Sequence, residues 1–252
     1  MKKTFADKLF FYLSVPKCVC CKEKLALGKR ALCDKCYDAY ILAKKRKCSV
    51  CFEVLPECSC ANEYLDSRFI HKLYKLFRYA RPAYDGELIA SNELIYNVKR
   101  DKRRDLIDLI SDEMIGVLAS AIKKREYIIT SVPRQRSRVI KYGFDHSESI
   151  ARAISQKLGI PYVKYLKSGA KVAQKKTNGE ERRENARFYP IREVDLRGKS
   201  IILFDDIVTT GASMGACAMQ LKALGAREII GAAIAVAFSD KYVPFLKTDS
   251  YK

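Results

Sequence analysis

Ile201-Ile202-Leu203-Phe204-Asp205-Asp206-Ile207-Val208-Thr209-Thr210-Gly211-Ala212-Ser213 carries three signals in succession. Four apolar residues in a row read as a strand covered on both faces, since a strand with one wet face alternates. Two carboxylates arrive where that strand should end, and a small, hydroxyl-rich turn follows. Thr209, Thr210, Gly211, Ala212 and Ser213 have little bulk, so several backbone N–H groups can converge on one anion. The helix beginning near Ser213 adds the positive end of its dipole. A phosphate monoester fits such a turn. Asp205 and Asp206 repel a second phosphate but accept hydrogen bonds from vicinal hydroxyls or face a magnesium ion. A diol beside a 5'-phosphate describes ribose 5-phosphate. A buried strand with an acidic turn that binds nothing would need all three signals to coincide by chance.

Around this stretch, 252 residues are enough to bury a good core and suggest one or two domains. The net charge of +19 points to polyanionic partners, either nucleic acid or phosphorylated metabolites, unless it serves solubility alone. Nine of the ten cysteines lie between Cys18 and Cys60. Their paired spacing favours metal in a reducing cytoplasm over a disulfide framework. Met1-Lys2-Lys3 before Leu9-Phe10-Phe11-Tyr12-Leu13 superficially resembles a signal peptide, but Asp7 and Lys8 interrupt it and the apolar run is short, so it reads as a docking helix or strand. No run approaches the ~20 apolar residues of a membrane span.

Residues 1–61 read as a cysteine-rich, zinc-ribbon-like module. Cys18-x2-Cys21 and Cys33-x2-Cys36, separated by a segment containing Gly28, supply the four sulfurs of a tetrahedral zinc site. Cys20 has no spacing partner and is either a bystander or an alternative ligand. Cys48-x2-Cys51 and Cys58-x-Cys60, closed up around Pro56, offer a second quartet, so one or two structural zincs are expected. A cross-braced arrangement, with first and third pairs sharing a metal, is the alternative that the spacing leaves open. Between the quartets Lys44-Lys45-Arg46-Lys47, with Tyr37, Tyr40 and Phe52 nearby, is either a solvated face or a surface for single-stranded nucleic acid.

Residues 62–125 read as a strand and helical connector packing on the core. Leu73 to Tyr79 alternates as a strand, ended by Arg81-Pro82. Leu88, Ile89, Leu94, Ile95 and Val98, then Leu106, Leu109, Ile110, Met114, Val117, Leu118 and Ile122, form two helical stripes. The charged joint Lys99 to Arg104 is expected to link them on the surface.

Residues 126–252 read as the ligand-binding domain. Tyr127 to Pro133 is its first strand, and Arg134, Arg136, Arg138 and Lys141 follow in a loop containing Gly143, where cations at a strand's carboxyl end suit pyrophosphate. Asp145 caps the next helix, with Glu148 completing a capping box; Ile150, Ile154 and Leu158 form its buried stripe, and Gly159 and Pro161 end it. His146 is either a ligand contact or a solvent-exposed first-turn histidine. Tyr162 to Leu166 reads as a second short strand. The segment 167–190 shows no period and carries Lys175, Lys176, Arg182, Arg183 and Arg187, which favours a flexible lid over a phosphorylated ligand. Met214, Cys217, Leu221 and Leu224 place Cys217 in packing, with Gly225 as the stop. Ile229 to Phe238 forms a last strand, and the tail after it reads as peripheral. The alternation implies an α/β fold, a mostly parallel sheet with helices on both faces.

The run Ile201 to Ser213 resembles, at every position, the 5-phosphoribosyl 1-pyrophosphate (PRPP) signature of type I phosphoribosyltransferases. The whole order resembles the ComF/GntX-like family: cysteine knuckles, connector, Ser-Val-Pro with an arginine loop, Gly-Phe before a capped helix, Gln174 with Arg182-Arg183-x-Asn185, then the signature. The family usually has Arg-Gly-Phe-Asn-Gln where this chain has Tyr142-Gly143-Phe144-Asp145-His146. The resemblance implies PRPP with magnesium as ligand: Asp205 and Asp206 on the ribose hydroxyls or metal, Thr209 to Ser213 on the 5'-phosphate, and Arg134, Arg136, Lys175 and Arg183 on the phosphates. It further implies a cytoplasmic protein that handles single-stranded DNA during uptake of transforming DNA, beside other uptake proteins such as a helicase. The alternative is an active phosphoribosyltransferase that transfers ribose 5-phosphate to an acceptor and releases pyrophosphate.

Overall fold

A computed structural model describes residues 16–26, 31–79, 89–100, 102–122, 126–169 and 187–237. The segments expected at Met1 to Leu13, Gly28, Arg81-Pro82, Leu88, Lys175 with Arg183, and the tail from Phe238 lie outside the described residues.

The core is a four-stranded, all-parallel sheet. In chain order it uses β1 (Leu73–Tyr79), β2 (Tyr127–Ser131), β5 (Ser200–Val208) and β6 (Glu228–Ala237), arranged β1-β6-β5-β2. β5 and β6 pair from Ser200↔Glu228 to Val208↔Val236, β2 lies along β5 from Tyr127↔Ser200, and β1 along β6 from Leu73↔Gly231. The expected α/β architecture, a parallel sheet covered on both faces, is therefore what the chain adopts.

The period of two along β5 sorts the core. Ile202 and Phe204 face one layer, formed by α1 (Asp34–Lys44), α3 (Ile89–Val98), α4 (Arg104–Ile122) and α6 (His146–Leu158). Ile201 and Leu203 face the other, formed by α7 (Ala212–Ala223), the single turn α2 (Glu63–Asp66) and a two-stranded ribbon. On α4, Leu106, Ile110, Met114 and Leu118 recur every four residues and are essentially fully buried, each contributing roughly 1.5–3 kcal/mol by leaving water. The same layer takes in Cys18, Val19, Leu25 and Tyr40, so the N-terminal module and the sheet share one core.

Four expectations need correction. Tyr162 makes only a parallel bridge to Ile129; the strand is β3 (Leu166–Ser168), which pairs antiparallel with β4 (Phe188–Pro190). The ends of the segment expected to be a lid are thus an ordered ribbon, because Leu166 and Phe188 have apolar surface to bury against α7. Arg136 to Tyr142 is a helix, α5, and not a loop; Pro133 and Gln135 set its entry and Gly143, at φ 72°, stops it. The joint Lys99 to Arg104 is not merely a surface link. Arg103 and Asp105 pair at 2.7 Å, and Asp105 also accepts from the Ala31 N–H at 2.9 Å, tying the joint to the N-terminal module.

Candidate functional site

β5 ends between two helices that start near its carboxyl edge, α6 and α7. Asp206 has the parity of Ile202 and Phe204 and meets α6. Its Oδ2 accepts from His146 Nε2 at 2.5 Å and lies 3.4 Å from Lys99 Nζ, while Oδ1 accepts from the Ile207 N–H at 2.6 Å. Asp205 has the parity of Ile201 and Leu203, and its Oδ1 folds forward to accept from the Asp206 N–H at 2.9 Å.

The two carboxyls titrate in opposite directions. Burial first, and then the negative charge of Asp206, push Asp205 well above its usual range. Burial would push Asp206 up as well, but the His146 hydrogen bond and the Lys99 charge outweigh it and hold Asp206 below its usual range. Of the two, Asp206 is the carboxyl its surroundings favour as the anion, and Asp205 the one they favour protonated.

His146 connects this carboxylate to the arginine segment. Its Nδ1 lies 2.5 Å from Arg134 Nη1, and the ring is only 3 % exposed. Asp145 caps α6 through the Glu148 N–H at 3.2 Å and receives the Arg134 N–H at 3.4 Å. The expected capping box is only half closed, because Glu148 turns to Arg152 at 2.8 Å and Lys164 at 2.7 Å instead of reaching back. Arg134 is half-buried and joined to the network, whereas Arg136 is exposed on α5.

The small turn takes the shape its composition suggests. Gly211 sits at φ 83° as the cap of α7, and the Ala212 N–H donates to Thr210 Oγ1 at 3.3 Å. A Cβ on Gly211 would lie 2.9 Å from Leu65 Cγ, so α2 presses directly on the turn. Thr209 and Ser213 are exposed and Ala212 is buried. The structure thus assembles Asp205, Asp206, Thr209 to Ser213 and Arg134 at one edge. It adds His146 and Lys99, which sequence reasoning did not select. The parity of Asp206 and the capping position of Asp145 were the only signals that could have brought His146 toward Asp206.

Both cysteine quartets close in sequence order, so the cross-braced alternative falls away. Cys18, Cys21, Cys33 and Cys36 place their sulfurs within 4.8 Å of one another, and so do Cys48, Cys51, Cys58 and Cys60. Zinc–thiolate bonds of about 2.3 Å imply tetrahedral edges of about 3.8 Å, and the Cys21–Cys33 separation of 3.6 Å suits that. Peptide N–H groups also point at the sulfurs: Cys33 N–H at Cys18 and Val50 N–H at Cys48, each at 3.4 Å. Cys20 stands outside both groups. The knuckles repeat one design. Lys17-Cys18-x2-Cys21-Lys22-Glu23-x-Leu25 recurs as Lys47-Cys48-x2-Cys51-Phe52-Glu53-x-Leu55, with Lys22 at φ 64° and Phe52 at φ 62°. Of the aromatics expected to stack on nucleic acid, Tyr37 and Phe52 are exposed, but Tyr40 is buried edge-on against Phe77. Lys44 is withdrawn from the basic run by its ion pair with Glu113.

Among the described residues no helix is long and apolar enough to cross a membrane. No family model matches the chain. By sequence it is similar to an adenine phosphoribosyltransferase of Mycobacterium marinum, 34% identical over 89 residues, which cover 34% of this chain and 48% of that protein. The chain thus spans about half the length of the curated relative it matches. Among solved structures it aligns with the adenine phosphoribosyltransferase of Saccharomyces cerevisiae (15% identity, 55% of this chain, 72% of that chain, TM-score 0.38). It also aligns with a purine phosphoribosyltransferase of Pyrococcus horikoshii (21% identity, 53% and 81% covered, TM-score 0.34). Over those 89 residues, the chain is similar to a phosphoribosyltransferase.

Proposed function

We propose that the chain binds PRPP at the carboxyl edge of the sheet. The observation that carries this reading is the convergence there of the Gly211 turn, the adjacent carboxyls Asp205 and Asp206 and the Arg134–His146 bridge. The 5'-phosphate takes the backbone N–H groups of Thr209 to Ser213 and the positive end of α7. The ribose hydroxyls reach Asp205 and Asp206. The pyrophosphate meets Arg134 and Arg136. Asp206 already receives His146, Lys99 and the Ile207 N–H, which leaves little room for a metal in its shell, so magnesium is carried on the oxygens of the ligand. The cysteine-rich module, 1–61, holds two structural zincs, one per quartet; the connector, 62–125, lends Lys99 to the site formed by 126–252.

Two outcomes of binding are distinguishable. Transfer of ribose 5-phosphate requires stabilising the departing pyrophosphate, a task for Arg134 and the cations of 167–190. An assay of pyrophosphate release from PRPP across nucleobases, ammonia and DNA tests it, and silence with every acceptor counts against a transferase. The second reading is a ComF-like factor that holds single-stranded DNA in the cytoplasm during its uptake, with PRPP as a regulatory ligand. Phe52, 67% exposed beside Lys45, Arg46 and Lys47 in the sequence, favours it. DNA affinity that falls steeply with salt is expected, and a flat response would remove this reading.

A further inference from the structure

A groove of about 450 Å³ runs between α4 and α6, and it shares no lining residue with the carboxyl-edge site. Two of its charged side chains are already committed. Arg152 is held by Glu148 at 2.8 Å and lies 4.3 Å from the centroid of the Tyr162 ring, and Asp108 sits 3.4 Å from Lys157. Two others are not. Lys102 and Arg104 stand exposed at the groove, and among the described residues neither pairs with a carboxylate. The Lys102 ammonium is 5.4 Å from the centroid of the Phe144 ring, so a cation and an aromatic face adjoin. Ile107 and Ala153 give the walls apolar surface, and the Gln156 amide offers both a donor and an acceptor.

A ligand matching this lining has a planar ring for Phe144, polar ring edges for Gln156, and an anion for the two exposed cations. The volume lies within the range of about 300–1,000 Å³ typical of small-molecule sites. We propose that the groove binds a nucleotide unit, its phosphate on Lys102 and Arg104 and its base against Phe144. The unit comes from one of two sources, a free nucleotide or one residue of a single strand of nucleic acid. The assignment does not rest on PRPP binding at the other edge.

The test uses the full chain with AMP, CMP, GMP and UMP in calorimetry, and a fluorescent ten-residue oligothymidylate in anisotropy. Binding of at least one probe is expected. Lys102→Ala with Arg104→Ala should weaken it about a hundredfold, from about tenfold for each charge-assisted contact. Phe144→Leu should weaken it about tenfold by removing the stacking face. Saturation by a mononucleotide identifies the free ligand, binding of the oligomer alone identifies a strand, and either supports the proposal. For a strand, the double variant also flattens the salt dependence, by roughly 0.7 in log–log slope for each phosphate it no longer neutralises. Both cations are exposed, so the variant keeps the parent's melting temperature and its PRPP affinity, which separates failure here from failure at the other site. Absence of binding by every probe, or binding untouched by the double variant, would overturn the proposal.

Discussion

Arginine can only donate, so the Arg134 contact makes His146 Nδ1 an acceptor and places the ring proton on Nε2, facing Asp206. One buried ring thereby joins the arginine segment to the carboxylate pair. Glutamine, which the resembled family usually has here, also offers one acceptor and one donor. His146→Ala should therefore cost roughly 1–3 kcal/mol in chemical denaturation, the penalty for stranding buried partners, and His146→Gln distinctly less. Equal losses would contradict the bridging role. The carboxyls make a second prediction. Asp206, held low in the folded chain, stabilises the fold above the ordinary carboxylate range, and that contribution is lost as pH falls through its folded value. Asp205, pushed up, favours the fold only at acid pH, and its contribution disappears as pH rises toward its folded value. Asp205→Asn keeps the acceptor for the Asp206 N–H and should raise the denaturation midpoint at pH 7, whereas Asp206→Asn should lower it; midpoints that shift together would refute this division of charge. The carboxyls were legible beforehand, but the His146 bridge between them and Arg134 was not. His146 and Asp206 are 60 positions apart, and nothing in a helix's first turn tells a buried histidine from an exposed one.

At the scale of elements, legibility followed periodicity. The strand at 73–79 and the helix at 146–158, with its Asp145 cap and Gly159 stop, lie where pattern and punctuation put them, while β5 begins as expected but runs on to Val208, past the carboxylates expected at its end. The short pieces did not. The α5 helix spans only two turns with no buried side chain to mark it, and the β3–β4 ribbon depends on partners twenty or more residues apart. Glycine at the turn is a firmer inference, because two independent constraints meet there. Gly211→Ala would have to hold φ near 83° and place its Cβ 2.9 Å from Leu65. The expected cost is about 1–3 kcal/mol for the strained backbone, with the steric clash added, read as a drop in melting temperature. An unchanged melting temperature would mean that α2 does not clamp the turn.

For the molecule as a whole, the cysteine spacing was the plainest text in the sequence, and the repeated knuckle gives the first pair of each quartet the same local geometry. Metal analysis of reduced protein purified without chelator should find two zincs per chain. Cys21→Ser and Cys51→Ser should each remove one, and a ratio near zero in the parent would refute both sites. The strand order was not legible, because which strand lies beside which depends on crossovers that leave no local trace. The order β1-β6-β5-β2 puts β5 inside the sheet, with one helical layer over each face, and so opens its carboxyl edge between α6 and α7. That placement is the basis for reading the edge as a PRPP site, and it can be tested directly. Calorimetric titration of PRPP with magnesium should show one saturable site in the parent chain and none in the folded Asp205→Asn, Asp206→Asn double variant. Affinity unchanged by the double substitution would contradict the assignment.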